Sequence, residues 1–242
     1  MKAGISRALC AGLMAAAVMA APARAEQAQF DFVLKGITAG SLTWSGEGLP
    51  GGGYAVAGRL QTTGLAALLK KVRYDAKSRG RITAKGSYQP QSYTEDADTG
   101  RRQSQVVMTW ASGIPTIKTY NPPRNPRPYD IDPAAQKGSV DPLTAMFATL
   151  RDVKAGEECR VSVSMFDGRR ASRLSLSAPK ANGDKVTCAG EYRRVAGFSP
   201  EDMAEKTRFP FTLTYEPAGN GMMRVVEVAT DTLYGKARLV RR

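Results

Sequence analysis

Alternation of apolar and polar residues with a period of two runs along most of this chain, and it leaves few folds open. In "QFDFVLKG" Phe30, Phe32 and Leu34 share one parity; in "AGSLTWSGEGL" Leu42 and Trp44 do; in "GGYAVAGRLQTTG" Tyr54 and Val56 do. The pattern returns in "RITAKGSYQPQSY", "RQSQVVMTW", "GIPTIKTY", "CRVSVSMFDGRRASRLSLS", "DKVTCAGEYRRVAGF", "RFPFTLTYE", "MMRVVEVAT" and "TLYGKARLV". Such runs, separated by Gly, Pro, Asn and Asp, are strands joined by turns, and no βαβ rhythm interrupts them. The expectation is an antiparallel sheet of roughly ten to twelve strands.

Two segments follow the helical period instead. "DPLTAMFATLRDV" opens with Asp141 as N-cap and Pro142 at the first helical position, where a missing N–H costs nothing. Leu143, Met146, Phe147 and Leu150 then fall at i, i+3, i+4 and i+7, one apolar stripe of an amphipathic helix. "SPEDMAEK" repeats the start signal with Ser199 and Pro200 but ends after about two turns. "LAALLKKV", Leu65 to Val72, reads as a helical turn ahead of a strand beginning near Val72. Five prolines between Tyr120 and Val140 exclude a central strand or long helix there and mark a loop. The fold class is therefore all-β with minor α: a long curled antiparallel sheet, a half-barrel or β-spiral, wrapped around the amphipathic helix. Residues 26–242 are expected to form one domain.

The N-terminus has a different purpose. Lys2 and Arg7 precede an apolar run from Ala8 to Ala21, and "PARA" places Ala23 and Ala25 at the small positions of a cleavage site. That is the plan of a secretory signal peptide over residues 1–25. The run is too short for a bilayer, which needs ~20 residues. Cys10 lies at the start of the run, the wrong place for a lipidated cysteine. Export to the periplasm, with cleavage near Ala25, is the expectation. Cleavage removes Lys2, Arg7 and Arg24 and takes the formal net charge from +13 to +10. A basic exported chain favours anionic partners such as lipid head groups, cell-wall polymers or acidic proteins, and nucleic acid is excluded by compartment.

Two cysteines then remain, Cys159 and Cys188, and an even pair in an oxidising space forms a disulfide. Such a loop closure contributes about 3.5 kcal/mol on the chain-entropy account. In "CRVSVSMFDGRRASRLSLS" a two-residue turn at Asp167-Gly168 pairs Phe166 with Arg169, Met165 with Arg170, Val163 with Ser172, Val161 with Leu174 and Cys159 with Leu176. Arg169 then points to solvent, while Arg170 lies on the apolar face at the hairpin end, its guanidinium reaching the rim. Asp167, Arg169 and Arg170 are the candidate polar rim. This register sets Cys159 and Cys188 on either side of one strand, ~9–10 Å apart, where a disulfide needs about 7 Å or less. Curling, a bulge, or a Cys159 lying in a loop ahead of the hairpin would each reconcile the two.

The chain has no histidine, which removes Ser-His-Asp and Cys-His machinery and His-based zinc sites. Asp130 and Asp132 in "YDID" are the obvious carboxylate pair for glycoside hydrolysis or a calcium contact, but they lie in a Pro-rich loop without a partner motif. "GEGLPGGG" lacks the Lys-Ser/Thr ending of a phosphate loop. No catalytic residue, metal or cofactor is assigned. A binding function remains. The stripe of Leu143, Met146, Phe147 and Leu150 is either ordinary core or one wall of a cleft that accepts an acyl chain or apolar peptide.

"VLKGITAGSLTW", "DPLTAMFATLR", "CRVSVSMFDGRR", "CAGEYRRVAGF" and "TLYGKARL" together resemble a bacterial envelope family known as domain of unknown function 3108. Its most specific parts are matched by Asp141, Pro142 and Leu143 and by Phe166 to Arg170. The resemblance covers most of the chain and implies an envelope address, with a shape similar to periplasmic lipoprotein carriers. It names no reaction. The expected function is a non-enzymatic periplasmic envelope protein binding a lipid, lipoprotein or apolar peptide in the concave face of its sheet. The alternative is an adaptor whose basic surface binds a protein or an anionic cell-wall polymer.

Overall fold

The computed structural model describes residues 25–232 and 235–242; residues 1–24, which hold Cys10 and all but the last residue of the segment expected to be a signal peptide, lie outside the described residues. The first half is a meander of β1 (Ala25–Leu34), β2 (Ile37–Leu49), β3 (Gly53–Thr62), α1 (Gly64–Leu69), β4 (Arg73–Ile82), β5 (Tyr88–Asp98), β6 (Gln103–Ala111) and β7 (Ile114–Asn121). After the Pro-rich loop come α2 (Pro142–Leu150) and the short β8 (Val153–Lys154). A second meander follows: β9 (Ser162–Phe166), β10 (Ala171–Asn182), β11 (Lys185–Ala196), α3 (Pro200–Glu205), β12 (Arg208–Gly219), β13 (Met222–Thr232) and β14 (Gly235–Arg241).

All fourteen strands belong to one antiparallel sheet in the order β7-β6-β5-β4-β3-β2-β1-β14-β13-β12-β11-β10-β9, with β8 paired to β13. The two meanders join where the ends of the described chain meet: β1 pairs with β14, from Phe30 opposite Arg241 to Leu34 opposite Ala237. The sheet is curled but not closed, and β7 and β9 are its two ends. The strand count exceeds the ten to twelve expected. "RITAKGSYQPQSY" is two strands, because Thr83 and Ser87 close a turn through a 2.9 Å backbone bond, and β8 is too short to show a period.

Helix α2 fills part of the concavity. Its Asp141 cap accepts the Thr144 N–H at 2.8 Å, as the sequence predicts. The helix is not amphipathic in place, however. Thr144, Ala145, Ala148 and Thr149 are buried along with Leu143, Phe147 and Leu150, while Met146 is only partly buried. The polar face is accommodated by hydrogen bonds. The Thr144 hydroxyl donates to Asp141 at 2.7 Å, Ser78 donates to Asp141 at 2.8 Å, and the Tyr54 and Thr144 hydroxyls are 2.8 Å apart. Burial pushes the Asp141 carboxyl above the usual carboxylate range, against the opposing pull of its bonds from Thr144 and Ser78.

The sheet makes room for the helix with missing side chains. A Cβ on Gly46 would stand 2.4 Å from the Phe147 ring, and one on Gly58 would stand 2.9 Å from Leu143. Phe147 thus settles into a cage of Trp44, Tyr54 and Tyr88, with ring centres 5.5, 6.1 and 6.2 Å away.

The disulfide is formed, with Cys159 and Cys188 α-carbons 5.4 Å apart. The expected hairpin register is corrected by two residues: Phe166 faces Ala171 and Val163 faces Leu174, leaving a four-residue loop, 167–170. Parity is kept, so the apolar face is the expected one. The loop is longer than a two-residue turn because the Asp167 carboxylate accepts the N–H groups of both Arg169 and Arg170, at 2.9 and 2.7 Å. Cys159 lies in the loop ahead of β9, and β10 bulges between Ser177 and Lys180. Two of the three ways to bring the sulfurs together are therefore used.

Candidate functional site

A cavity of about 580 Å³ remains between α2, strands β3 to β6, β14 and the 167–170 loop. Its floor is apolar, with Leu60, Val106, Leu143, Met146, Met165 and Leu239 among its walls. Of the predicted helix stripe, Leu143 and Met146 reach it, whereas Phe147 and Leu150 belong to the packed core. Asp167, Arg169 and Arg170 do line it, as a rim.

The two arginines exchange the roles expected from the shorter turn. Arg169 is the sheltered one, its side chain 17 % exposed, and Arg170 is 47 % exposed. Arg170 is held by Asp167 at 2.8 Å and lies over the Phe198 ring. Arg169 reaches across the opening between the sheet ends to the loop after β7. There it faces Asp130 at 3.8 Å and lies over the Tyr129 ring. Gly168 makes that reach possible. Its φ is +88°, and a Cβ there would press at 3.4 Å on both Met108 and Val106 of β6.

Other rim residues went unrecognised in the sequence because they converge from separate strands and loops. Arg124 stacks on Tyr120, its guanidinium carbon 4.2 Å from the ring centre, and its Nε and Nη1 are buried without a hydrogen-bond partner. Burial lowers its pKa, against the steadying effect of Tyr120. Arg169 Nε is likewise sheltered and unpartnered by a hydrogen bond. On the opposite wall the Tyr93 hydroxyl donates to Glu95 at 2.6 Å, and burial raises the Glu95 pKa in spite of that bond. The only sequence signal for Arg124 was the basic spacing of "PRNPR", which does not reveal which strand it meets.

Asp130 and Asp132 are occupied by the loop itself. Asp130 accepts the Arg127 N–H at 2.8 Å, and Asp132 accepts the Ala134 N–H at 2.9 Å at the start of a single helical turn. Among the described residues no group of three or more acidic or cysteine side chains is arranged to hold a metal ion. A wider, shallower trough of about 960 Å³ runs along β1 to β7, but more than half of its lining residues are Gln, Thr, Ser or charged, and Arg59 and Asp75 there pair with each other, 2.5 Å apart. The smaller cavity combines apolar walls with unsatisfied donors, the arrangement typical of a ligand site.

No helix among the described residues is long and apolar enough to cross a membrane. No curated protein matches the chain. Among solved structures, a crystal structure described as a beta-barrel-like protein of domain of unknown function DUF1849 from Brucella abortus is similar at 14% identity. The match has a TM-score of 0.49 and covers 89% of this chain and 94% of that one. The family described as "Protein of unknown function (DUF3108)" matches residues 29–240, nearly the whole chain, and the chain belongs to that family.

Proposed function

We propose that this is a non-enzymatic periplasmic envelope protein that holds a lipid, the acyl chain of a lipoprotein or an apolar peptide in the cavity beside α2. The observation that carries this reading is the pairing of an apolar cavity wall, Leu143 and Met146, with the buried Arg124 Nε and Nη1, which make no hydrogen bond, and with Arg169 Nε, which has only a long 3.8 Å ion pair to Asp130. An amphiphile with an anionic head would cover the apolar wall and supply those acceptors. The Cys159–Cys188 disulfide fits an oxidising compartment, and the signal-peptide pattern of residues 1–25 supports export.

Native mass spectrometry of the chain purified from its own periplasm tests the reading. The expected result is a co-purifying amphiphile that, once stripped, is replaced by a fluorescent fatty acid. A bare protein that takes up neither a fatty acid nor an apolar peptide overturns it. Retention of that bare protein on cell-wall sacculi at low salt, with release at high salt, would favour the adaptor alternative.

A further inference from the structure

Among the described residues, the three most exposed large apolar side chains lie on α1 and on the strand beside it. Leu68 and Leu69, at the tip of α1, are 83 % and 90 % exposed, and Ile37, the first residue of β2, is 65 % exposed. A single exposed leucine is ordinary, but adjacent ones on a projecting tip require an explanation.

The tip is held rigidly at its base. The Thr62 N–H donates to the Val72 carbonyl at 2.9 Å, and the Thr62 hydroxyl both accepts from the Val72 N–H at 2.9 Å and donates to the Lys70 carbonyl at 3.0 Å. The Thr63 N–H donates to the Ala39 carbonyl of β2 at 3.1 Å, which sets α1 next to the start of the strand carrying Ile37. The leucines therefore stand out from a braced support.

Charge decides what would cover them. Lys70 and Lys71 follow the leucines directly, both are exposed, and neither makes an ion pair with a described residue. Apolar side chains backed by free lysines match the boundary of an anionic bilayer, where the chains enter and the ammonium groups meet phosphate. The position of the cavity agrees. Leu60, two residues before Thr62, and Arg102, in the β5–β6 turn, line it. That turn touches the base of α1, since a Cβ on Gly100 would lie 2.8 Å from the Lys71 carbonyl oxygen.

We propose that the α1 tip docks this end of the protein on an anionic phospholipid surface, with Leu68 and Leu69 inserted and Lys70 and Lys71 on the phosphates, so that the cavity mouth faces the membrane. The docking goes beyond the cavity reading and does not require it.

The test is co-flotation of the exported chain with vesicles of phosphatidylethanolamine and phosphatidylglycerol, and with phosphatidylcholine vesicles, at physiological salt. Wild type should bind the anionic vesicles and release at high salt. Leu68→Ser with Leu69→Ser should weaken partitioning by at least about tenfold, and Lys70→Glu with Lys71→Glu by a similar factor. In Leu69→Trp the indole emission should shift to the blue on vesicle addition. Unchanged folding of each variant is checked by circular dichroism. Absence of wild-type binding, or equal binding by the serine variant, overturns the proposal. So does dimerisation that the serine variant abolishes, or preferential retention on wall sacculi. Native mass spectrometry of the serine variant separates the two readings. Docking lost while the cavity ligand is kept supports the membrane contact by itself, and a bare cavity in a protein that still docks strikes only the ligand reading.

Discussion

The guanidinium carbon of Arg169 lies 5.7 Å from the centre of the Tyr129 ring, and this contact joins the two ends of an open sheet. Arg169 belongs to the β9–β10 loop and Tyr129 to the segment after β7. That segment continues the closure: Gly138 bonds to Gly113 at 2.8 Å, and Val140 lies parallel to β9 opposite Met165, bonded to Ser164 at 2.8 Å. The gap between β7 and β9 is thus spanned by side chains and a strap of loop, where a closed barrel would have a ladder. Exposed strand edges are a hazard that such cover reduces.

Arg169→Ala should therefore destabilise the fold by about 1–2 kcal/mol, through the lost ring contact and the partner groups left behind. Arg170→Ala, which removes a half-exposed pair with Asp167 and a contact with the Phe198 ring, should cost less, about 0.5–1 kcal/mol. Urea unfolding of the two variants checks the order. Equal midpoints would mean that the clasp contributes nothing.

Asp141→Ala removes an N-cap and also leaves the Ser78 and Thr144 hydroxyls without their shared acceptor, at the buried end of the chain that reaches Tyr54 through Thr144. A loss of about 3 kcal/mol or more is expected. Ser199→Ala on α3, whose cap serves no buried network, should lose about 1 kcal/mol. The comparison of these two caps in one denaturant series isolates the network.

Stability should fall as pH rises toward neutrality. Glu26 accepts the Asp152 N–H at 2.8 Å, and burial, with the Asp152 charge beside it, raises its pKa from 4.5 to about 7. The folded chain then keeps a proton that the unfolded chain releases, so the stabilisation is full below pH 4.5 and is lost between there and about 7. Asp141 and Glu95, both raised by burial, act in the same sense. Glu26→Gln should flatten the profile and melt higher than wild type at pH 8, measured calorimetrically. A parallel profile would assign the slope elsewhere.

Met146→Trp should fill part of the cavity without disturbing the core face of α2, since Met146 is the residue of the stripe that is not fully buried. Fluorescent fatty-acid affinity should drop by about tenfold or more while the melting midpoint stays near that of wild type. Unaltered affinity would place the ligand elsewhere.

Cys159→Ser with Cys188→Ser opens a link across a sequence separation of 29 residues. The expected loss is about 3.5 kcal/mol on the chain-entropy account, read from urea unfolding. A loss near zero would mean that the loop ahead of β9 is already ordered in the unfolded ensemble.

What the residues alone determined is whatever is encoded over a few neighbours. Period-two alternation specified an antiparallel β protein, Asp141-Pro142 specified where α2 starts, and two cysteines specified one disulfide. Each of these rests on local backbone geometry or on simple pairing, so no distant partner had to be known. The hairpin shows the limit. Its strands were legible, but its register depended on Asp167 accepting two N–H groups and on Gly168 meeting β6, a strand about sixty residues earlier. That shift exchanged the surroundings of Arg169 and Arg170. Tertiary structure alone decided that Thr144 is buried, since its partners Tyr54 and Ser78 lie 90 and 66 residues away. It also decided that Arg124 and Met146 share a cavity. A cavity is the space left when curvature, helix position and loop reach are all set, and no stretch of sequence contains those three together.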